Sequence, residues 1–130
     1  MASPVVRFRI DFAEHAAVGP GKISLLEAIR NSGSLSQAAR DLGMSYRRAW
    51  MLIASLNASF NKPVTRATAG GRGGGGAALT LFGAQLIESY RLLDKDISAL
   101  AARRLEALLP TVAQRSHTRQ KSSSLRRSLA

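Results

Sequence analysis

The sequence contains no cysteine, few aromatic residues and few acids. Without cysteine, neither a disulfide bond nor a thiolate metal site is possible, and only His15 and His117 offer imidazole ligands. The eight acidic residues form no catalytic pair or triad in the sequence. No run reaches the ~18 apolar residues of a membrane-spanning helix, and the N-terminus lacks the apolar core of a signal peptide. These absences favour a soluble, cytoplasmic protein that is not an enzyme and uses no metal or cofactor.

Positive charge is what the chain has in excess, with 19 Lys and Arg against 8 Asp and Glu and a formal net charge of +11. Such a surplus attracts polyanions, nucleic acid first and an anionic membrane second. After Pro110 the chain is rich in Ser, Arg and Gln and has no acidic residue. Because this composition buries too little apolar surface to offset ordering entropy, we predict one domain over residues 1–110. A disordered basic tail over 111–130 would then add phosphate affinity or only solubility.

Apolar spacing predicts a strand and then a helix in the first third of the chain. Residues 6–12 alternate between apolar and polar side chains, which is the period of a half-buried strand. The run Gly19-Pro20-Gly21 then breaks the chain. A helical repeat follows it until Ser32-Gly33, so the first helix lies between these two breaks.

Two further helices follow in quick succession. Ser34 is placed to cap the second helix, with Gln37 as its partner in a capping box, and Gly43 ends it. Ser45 caps a third helix that continues to about Phe60. The residues expected to face the core are Leu35, Ala38, Ala39, Leu42, Ala49, Leu52, Ile53 and Leu56. Small residues at Ala39 and Ala49 and a Gly between them suit a helix-turn-helix crossing.

Residues 64–79 predict a β-hairpin, because strand-favouring residues flank a Gly-rich run over 70–76. No Gly-Lys-Ser/Thr follows that run and no βαβ unit surrounds it, which argues against nucleotide binding. Arg66 and Arg72 would give such a wing positive charge for a phosphate or the minor groove. A plain flexible linker is the competing interpretation.

The last predicted helix runs from about residue 80 to 109, roughly 43 Å at 1.5 Å per residue. A helix this long with an apolar seam predicts pairing with a second copy. The alternative is that it folds back as a core helix of its own domain. The dimerisation residues predicted on this seam and on the first strand are Phe8, Phe82, Leu86, Tyr90, Leu93, Ile97 and Leu100.

Three helices and a hairpin in this order predict a mainly α winged helix-turn-helix with a small β wing and a long C-terminal dimerisation helix. Recognition helices present their N-terminal residues to base edges in the major groove of double-stranded DNA. The predicted DNA-binding residues are therefore Ser34, Ser36, Gln37, Ser45, Tyr46, Arg47, Arg48, Met51, Arg66 and Arg72. Lys22 and Arg40 are expected to support phosphate contacts or to form an ordinary solvated face. Trp50 is expected to be a core or interface aromatic residue.

Several stretches carry a specific resemblance. They are GKISLLEAI over residues 21–29, GSLSQAA over 33–39, GMSYRRAW over 43–50, GGRGGGGA over 70–77, Leu79-Thr80 and Gly83. This set strongly resembles the N-terminal DNA-binding domain of the ModE family of molybdate-responsive regulators, over roughly residues 19–95. The resemblance implies a LysR-like winged helix that dimerises through the first strand and the long last helix. It also implies operator DNA of genes for molybdate uptake or molybdenum enzymes as the partner.

Members of that family carry C-terminal β-barrel domains that bind the oxyanion, whereas only a basic tail follows Pro110 here. We therefore expect no direct molybdate binding, and a separate oxyanion-binding protein is a possible partner. The leading hypothesis is a sequence-specific transcriptional regulator. Its alternatives are a non-specific architectural, nucleoid-associated protein and an adaptor that uses the winged helix to bind another protein.

Overall fold

The computed structural model describes residues 4–69 and 76–113. The chain divides into two compact units, one of which is Val6–Ile97. The other comprises Met1–Val5 and Ser98–Ala130, of which residues 4–5 and 98–113 are described. The boundary between the two units, after Ile97, thus lies within the single domain that was expected over 1–110. Most of the tail expected to be disordered, from residue 114 onward, lies outside the described residues.

Helices dominate the described residues, and the strands form two small antiparallel pairs. In chain order the elements are β1 (Ile10–Asp11), β2 (Ala17–Val18), α1 (Pro20–Ser32), α2 (Leu35–Asp41), α3 (Tyr46–Ser59), β3 (Thr65–Thr68), β4 (Gly76–Leu79), α4 (Leu81–Arg104) and a 3-10 helix (Glu106–Thr111). The predicted fold class, mainly α with a small β wing, is confirmed.

The N-terminal strand is shorter than predicted. Only Ile10 and Asp11 form β1, which pairs with β2 so that Ile10 lies opposite Val18. The sequence prediction missed β2 because two residues are too few to show an alternating pattern.

Local caps explain where the three short helices begin. Pro20 occupies the first turn of α1, where its missing N–H costs nothing, and Gly33 ends the helix with a left-handed φ of 70°. Ser34 and Ser45 cap α2 and α3, since their hydroxyl groups accept from the N–H groups of Gln37 and Arg48, each at 3.1 Å. The predicted capping box is only half formed, because the Gln37 side chain bonds Arg40 and Asp41 instead.

The core of the Val6–Ile97 unit lies between α1, α2, α3 and the start of α4. Its largest fully buried side chains are Val18, Ile23, Leu25, Leu26, Ile29, Leu56 and Val64. Ala38, Ala39, Ala49 and Ile53 are buried as predicted, and Leu35 and Leu52 pack against them. Leu42 was predicted to face the core and is 39% exposed. The prediction is wrong there because α2 ends at Asp41, so Leu42 no longer follows the helical repeat.

The long helix α4 ends at Arg104, five residues before the predicted end, and is about 36 Å long. A 3-10 helix containing Pro110 follows. Proline has no N–H group to donate and restricts the residue before it, which explains why the α-helix does not extend through this stretch.

The apolar seam of α4 divides into a buried and an exposed part. Leu86 and Tyr90 are 8% and 4% exposed and belong to the core of their own chain, with Phe82 packed against them. Phe8 stacks on Tyr90 with ring centroids 4.6 Å apart. Leu86 and Tyr90 are therefore covered mostly by their own chain, as in the alternative of a core helix. Further along, Leu93 is 38% and Leu100 44% exposed, and Ile97 is half-buried.

Candidate nucleic-acid interface

Helices α2 and α3 pack together across a tight turn. Gly43 in this turn has a φ of 67°, a left-handed conformation that favours glycine. The Met44 N–H donates to the Ala39 carbonyl at 3.0 Å and closes the turn. Ala39 and Ala49 are 2% and 0% exposed, so small side chains fill the space between the helices. The predicted helix-turn-helix is thus formed with the predicted residues at its critical places.

The N-terminal half of α3 presents a polar and basic surface. Tyr46 and Met51 are 52% and 56% exposed. Arg47 and Arg48 are also exposed, and neither forms an ion pair with any residue that the structure describes. Helix α3 contains no acidic residue. Both guanidinium groups are therefore available for an anionic or hydrogen-bond-accepting partner.

The predicted contacts on α2 differ in accessibility. Ser34 is 6% exposed, and its hydroxyl group is engaged in the cap of α2 and in a 3.0 Å hydrogen bond with Ser36. Ser34 is thus a structural residue and leaves the predicted contact set. Gln37 is half-buried, and its amide group is held in one orientation by hydrogen bonds of 2.8 Å from Arg40 and 2.7 Å to Asp41.

The wing is a two-stranded hairpin attached to the helix-turn-helix. Strands β3 and β4 pair from Thr65 opposite Leu79 to Thr68 opposite Gly76. The Ala77 N–H donates to the Gly33 carbonyl at 3.0 Å, which anchors β4 to the turn before α2. Arg66 is exposed on β3, as expected for a wing residue. Arg72 lies in the tip over residues 70–75, outside the described residues.

Lys22 has a structural role rather than the predicted phosphate contact. Its Nζ donates to the Ala17 carbonyl at 2.7 Å and to the Ser55 hydroxyl at 3.1 Å, which joins α1 to β2 and α3. Burial, and to a smaller degree the charge of Arg9, lowers the pKa of Lys22. Arg40, the other predicted phosphate contact, is exposed.

Trp50 is 56% exposed on α3, so the expectation of a core residue is wrong, and that of an interface residue stays a prediction. The flanking pattern explains the position, because Ala49 and Ile53 are the buried residues of this turn. Trp50 follows Tyr46 by four positions and therefore shares its side of the helix. That spacing was readable in the sequence and is the signal that the prediction overlooked.

The described residues also bear on metal binding and on membrane insertion. Within residues 4–69 and 76–113, no group of three or more His, Asp or Glu side chains is arranged to hold a metal ion. None of the described helices has the length and apolar character needed to cross a membrane.

The segment that contains the helix-turn-helix is similar to a known protein family. Residues 21–84, from α1 through the first turn of α4, match the bacterial regulatory helix-turn-helix proteins of the lysR family. These residues form a LysR-family helix-turn-helix domain. The match includes α2, the Gly43 turn, α3 and the strands of the wing.

Several curated relatives are similar to part of this chain. Over 74 residues the chain is 47% identical to the DNA-binding transcriptional dual regulator ModE of Escherichia coli K12. These aligned residues make up 57% of this chain and 28% of that protein. Over 85 residues it is 40% identical to the molybdenum-pterin-binding protein MopB of Rhodobacter capsulatus, covering 65% and 32%. Over 104 residues it is 35% identical to the molybdenum transport protein ModE of Azotobacter vinelandii, covering 80% and 38%. The chain thus spans about a third of the length of these relatives.

Proposed function

We propose that this chain is a sequence-specific DNA-binding transcriptional regulator of genes for molybdate transport or molybdenum enzymes. The observation that carries the proposal is the exposed N-terminal half of α3, where Arg47 and Arg48 follow the Ser45 cap within a LysR-family domain. Two of the relatives supply the link to molybdenum, since they are a molybdenum-pterin-binding protein and a molybdenum transport protein. The proposed role is that of a cytoplasmic, non-enzymatic regulator.

The chemistry of the two arginines suits base recognition. A guanidinium group donates two parallel hydrogen bonds to guanine O6 and N7 in the major groove, a pattern that no other base pair presents. Because Arg47 and Arg48 have no ion pair with the described residues, binding DNA breaks no existing pair. Arg40 and Arg66 are exposed on α2 and β3 and are assigned to phosphates, which position the domain without specifying a sequence.

The first test is a fluorescence-anisotropy titration at about 150 mM salt. The labelled duplex comes from upstream of a molybdate-transport operon, and a scrambled duplex of the same composition is the comparison. A specific regulator prefers the first duplex by about 10³-fold or more. Equal affinities would instead establish the architectural alternative. Repeating the titration with molybdate checks the sequence-based expectation that the affinity does not change.

Arginine variants test the assignment within that experiment. Arg47→Ala and Arg48→Ala are each expected to cost about 1–3 kcal/mol of discrimination between the two duplexes. Arg103→Ala is the matched control, because it removes the same charge from an exposed position in the last turn of α4. Equal losses on both duplexes for Arg47→Ala and Arg48→Ala would contradict base readout, and no loss at all would favour the adaptor hypothesis.

We also propose that the regulator acts as a homodimer. Leu92 and Leu93 are exposed on α4, and Leu92 lines an open groove of about 570 Å³ together with Phe12, Phe60 and Phe82. Exposed apolar residues in such a cluster are typical of a protein interface. Sedimentation equilibrium is expected to give a dimer for the wild type and a monomer for Leu92→Asp, which places a charge in this groove. A wild-type monomer throughout the micromolar range would contradict the proposal.

A further inference from the structure

Three large apolar side chains lie on the exposed surface of the proposed recognition helix. Tyr46, Trp50 and Met51 are 52%, 56% and 56% exposed. Tyr46 and Trp50 are one turn apart on one side of α3, and Met51 follows directly, one turn after Arg47. Such a concentration of solvated apolar surface on a single short stretch marks a binding surface rather than an ordinary solvated face.

The surrounding charge identifies the kind of occupant. Exposed Arg47 and Arg48 interleave with the apolar side chains, and α3 carries no acidic residue. A surface with this sign attracts a polyanion, and the chain as a whole has a net charge of +11. An apolar cluster surrounded by arginines therefore fits the major groove of DNA better than the apolar face of a protein.

The major groove offers one apolar group to such a surface. Among the four base pairs, only those with thymine present a methyl group, at C5, while the other bases are read mainly through hydrogen-bond donors and acceptors. An indole ring has the largest apolar area of any side chain and a single donor, Nε1–H, so it is suited to cover methyl groups rather than to discriminate hydrogen-bonding patterns.

We propose that Trp50 is a specificity-determining residue that recognises thymine methyl groups in the operator. The proposal rests on the proposed function, since it requires sequence-specific binding through α3. It gives Trp50 a role distinct from those of Arg47 and Arg48, which read guanine. Tyr46 is one turn before Trp50 and extends the same apolar surface.

The test pairs a change in the protein with a change in the DNA. Duplexes are recovered with the full chain from a random-sequence library, and each thymine of the enriched site is replaced in turn by uracil. This replacement removes the methyl group and keeps every hydrogen-bonding atom. The wild type is expected to lose about 4-fold in affinity at one or more thymines, the equivalent of burying one methyl-sized group.

In Trp50→Ala the uracil penalty is expected to disappear at those positions, whereas Trp50→Phe keeps part of it. Leu108→Ala is the matched control, because Leu108 is 57% exposed but lies on the 3-10 helix, outside both α3 and the proposed dimer groove. It is expected to keep the full penalty, and circular dichroism checks that each variant is folded.

The outcomes separate this inference from the proposed function. A wild type that ignores uracil at every thymine, or a Trp50→Ala variant that keeps the full penalty, overturns the role of Trp50 while specific binding stands. The first of these results needs no variant, so a folding defect does not obscure it. Failure to enrich any sequence from the library overturns the proposed function itself, and the role of Trp50 with it.

Discussion

Gly83, in the first turn of α4, lies directly against the carbonyl group of Val64, with no room for a side chain between them. A Cβ atom at Gly83 would overlap the Val64 oxygen. Thr80 fastens the same two segments, since its N–H donates to Val64 at 3.0 Å and its hydroxyl donates to Pro63 at 2.6 Å. The chain leaving the wing is thereby held against the chain entering it.

Gly83→Ala is therefore expected to lower the free energy of unfolding by about 1–3 kcal/mol, because backbone must move to admit the methyl group. Urea denaturation followed by circular dichroism measures the change. Gly21→Ala is the control, since Gly21 is exposed in the first turn of α1 and a Cβ there meets nothing within 4 Å. It is expected to raise stability by up to about 1 kcal/mol. Similar effects of the two changes would contradict the close approach.

Gly43→Ala is expected to cost about 1–2 kcal/mol, because the φ of 67° is unfavourable for a residue with a Cβ atom. Gly43→Asn is expected to cost less, since Asn tolerates the left-handed region better than Ala. No Cβ clash contributes, because nothing lies within 4 Å of the position. Thermal melting of the two variants gives the comparison, and a lower stability for Gly43→Asn than for Gly43→Ala would show that the conformation of this turn is not the cause.

Glu27 on α1 and Arg91 on α4 form a salt bridge that makes the stability depend on pH. The hydrogen bond from Arg91 lowers the pKa of Glu27 below its ordinary value of 4.5, in spite of an opposing effect of burial. A carboxyl group with a depressed pKa in the folded state stabilises the fold above its unfolded pKa. This contribution is lost as the pH falls below about 4.5 and through the lower folded pKa.

Because Arg91 is 41% exposed, we expect about 1 kcal/mol or less from the pair. The difference in unfolding free energy between the wild type and Glu27→Gln is expected to shrink as the pH falls through this window. Glu88→Gln, at an exposed position on α4, serves as the control and is expected to follow the wild type. A difference independent of pH would show that the charge of Glu27 is not what stabilises the contact.

Loss of the hydroxyl group is expected to lower stability at one of the chain's two tyrosines and not at the other. Tyr90 is buried, and its hydroxyl donates to the Phe8 carbonyl at 2.6 Å. Tyr90→Phe is expected to cost about 1–2 kcal/mol of stability, because it leaves that carbonyl without its partner. Tyr46 is exposed on α3, so Tyr46→Phe is expected to leave stability unchanged. Urea denaturation of both variants decides, and equal stability losses would contradict the assignment of Tyr90 to the core.

The helix-turn-helix was predictable because its signals are local. Serine caps at Ser34 and Ser45 and the glycine at Gly43 act within one turn of the chain, so sequence spacing alone identifies them. The wing strands were predictable for the same reason, because a glycine run separates two strand-favouring stretches.

The partners of each surface were not predictable, because they depend on contacts between distant segments. A seam at helical spacing does not reveal that Leu86 and Tyr90 pack on their own core. A lysine in the first turn of a helix does not reveal that Lys22 is bonded to Ala17 and Ser55. Trp50 was misjudged for a related reason, since large aromatic residues are usually buried and only the neighbouring Ala49 and Ile53 show which side of α3 faces inward.

Arg66 on the wing strand β3 is expected to contribute affinity without specificity. Arg66→Ala should weaken binding to the operator and to the scrambled duplex by similar factors, because a phosphate contact is the same on every sequence. The slope of log K against log salt is also expected to become less steep by about 0.9, the value for one lost phosphate contact.

Anisotropy titrations of both duplexes over a series of salt concentrations measure the two effects together. Arg66→Lys keeps the positive charge and is expected to restore the wild-type slope, which separates loss of charge from a disturbed hairpin. If Arg66→Ala instead weakened only the operator complex and left the slope unchanged, the wing would have to read bases, and its backbone role would be wrong.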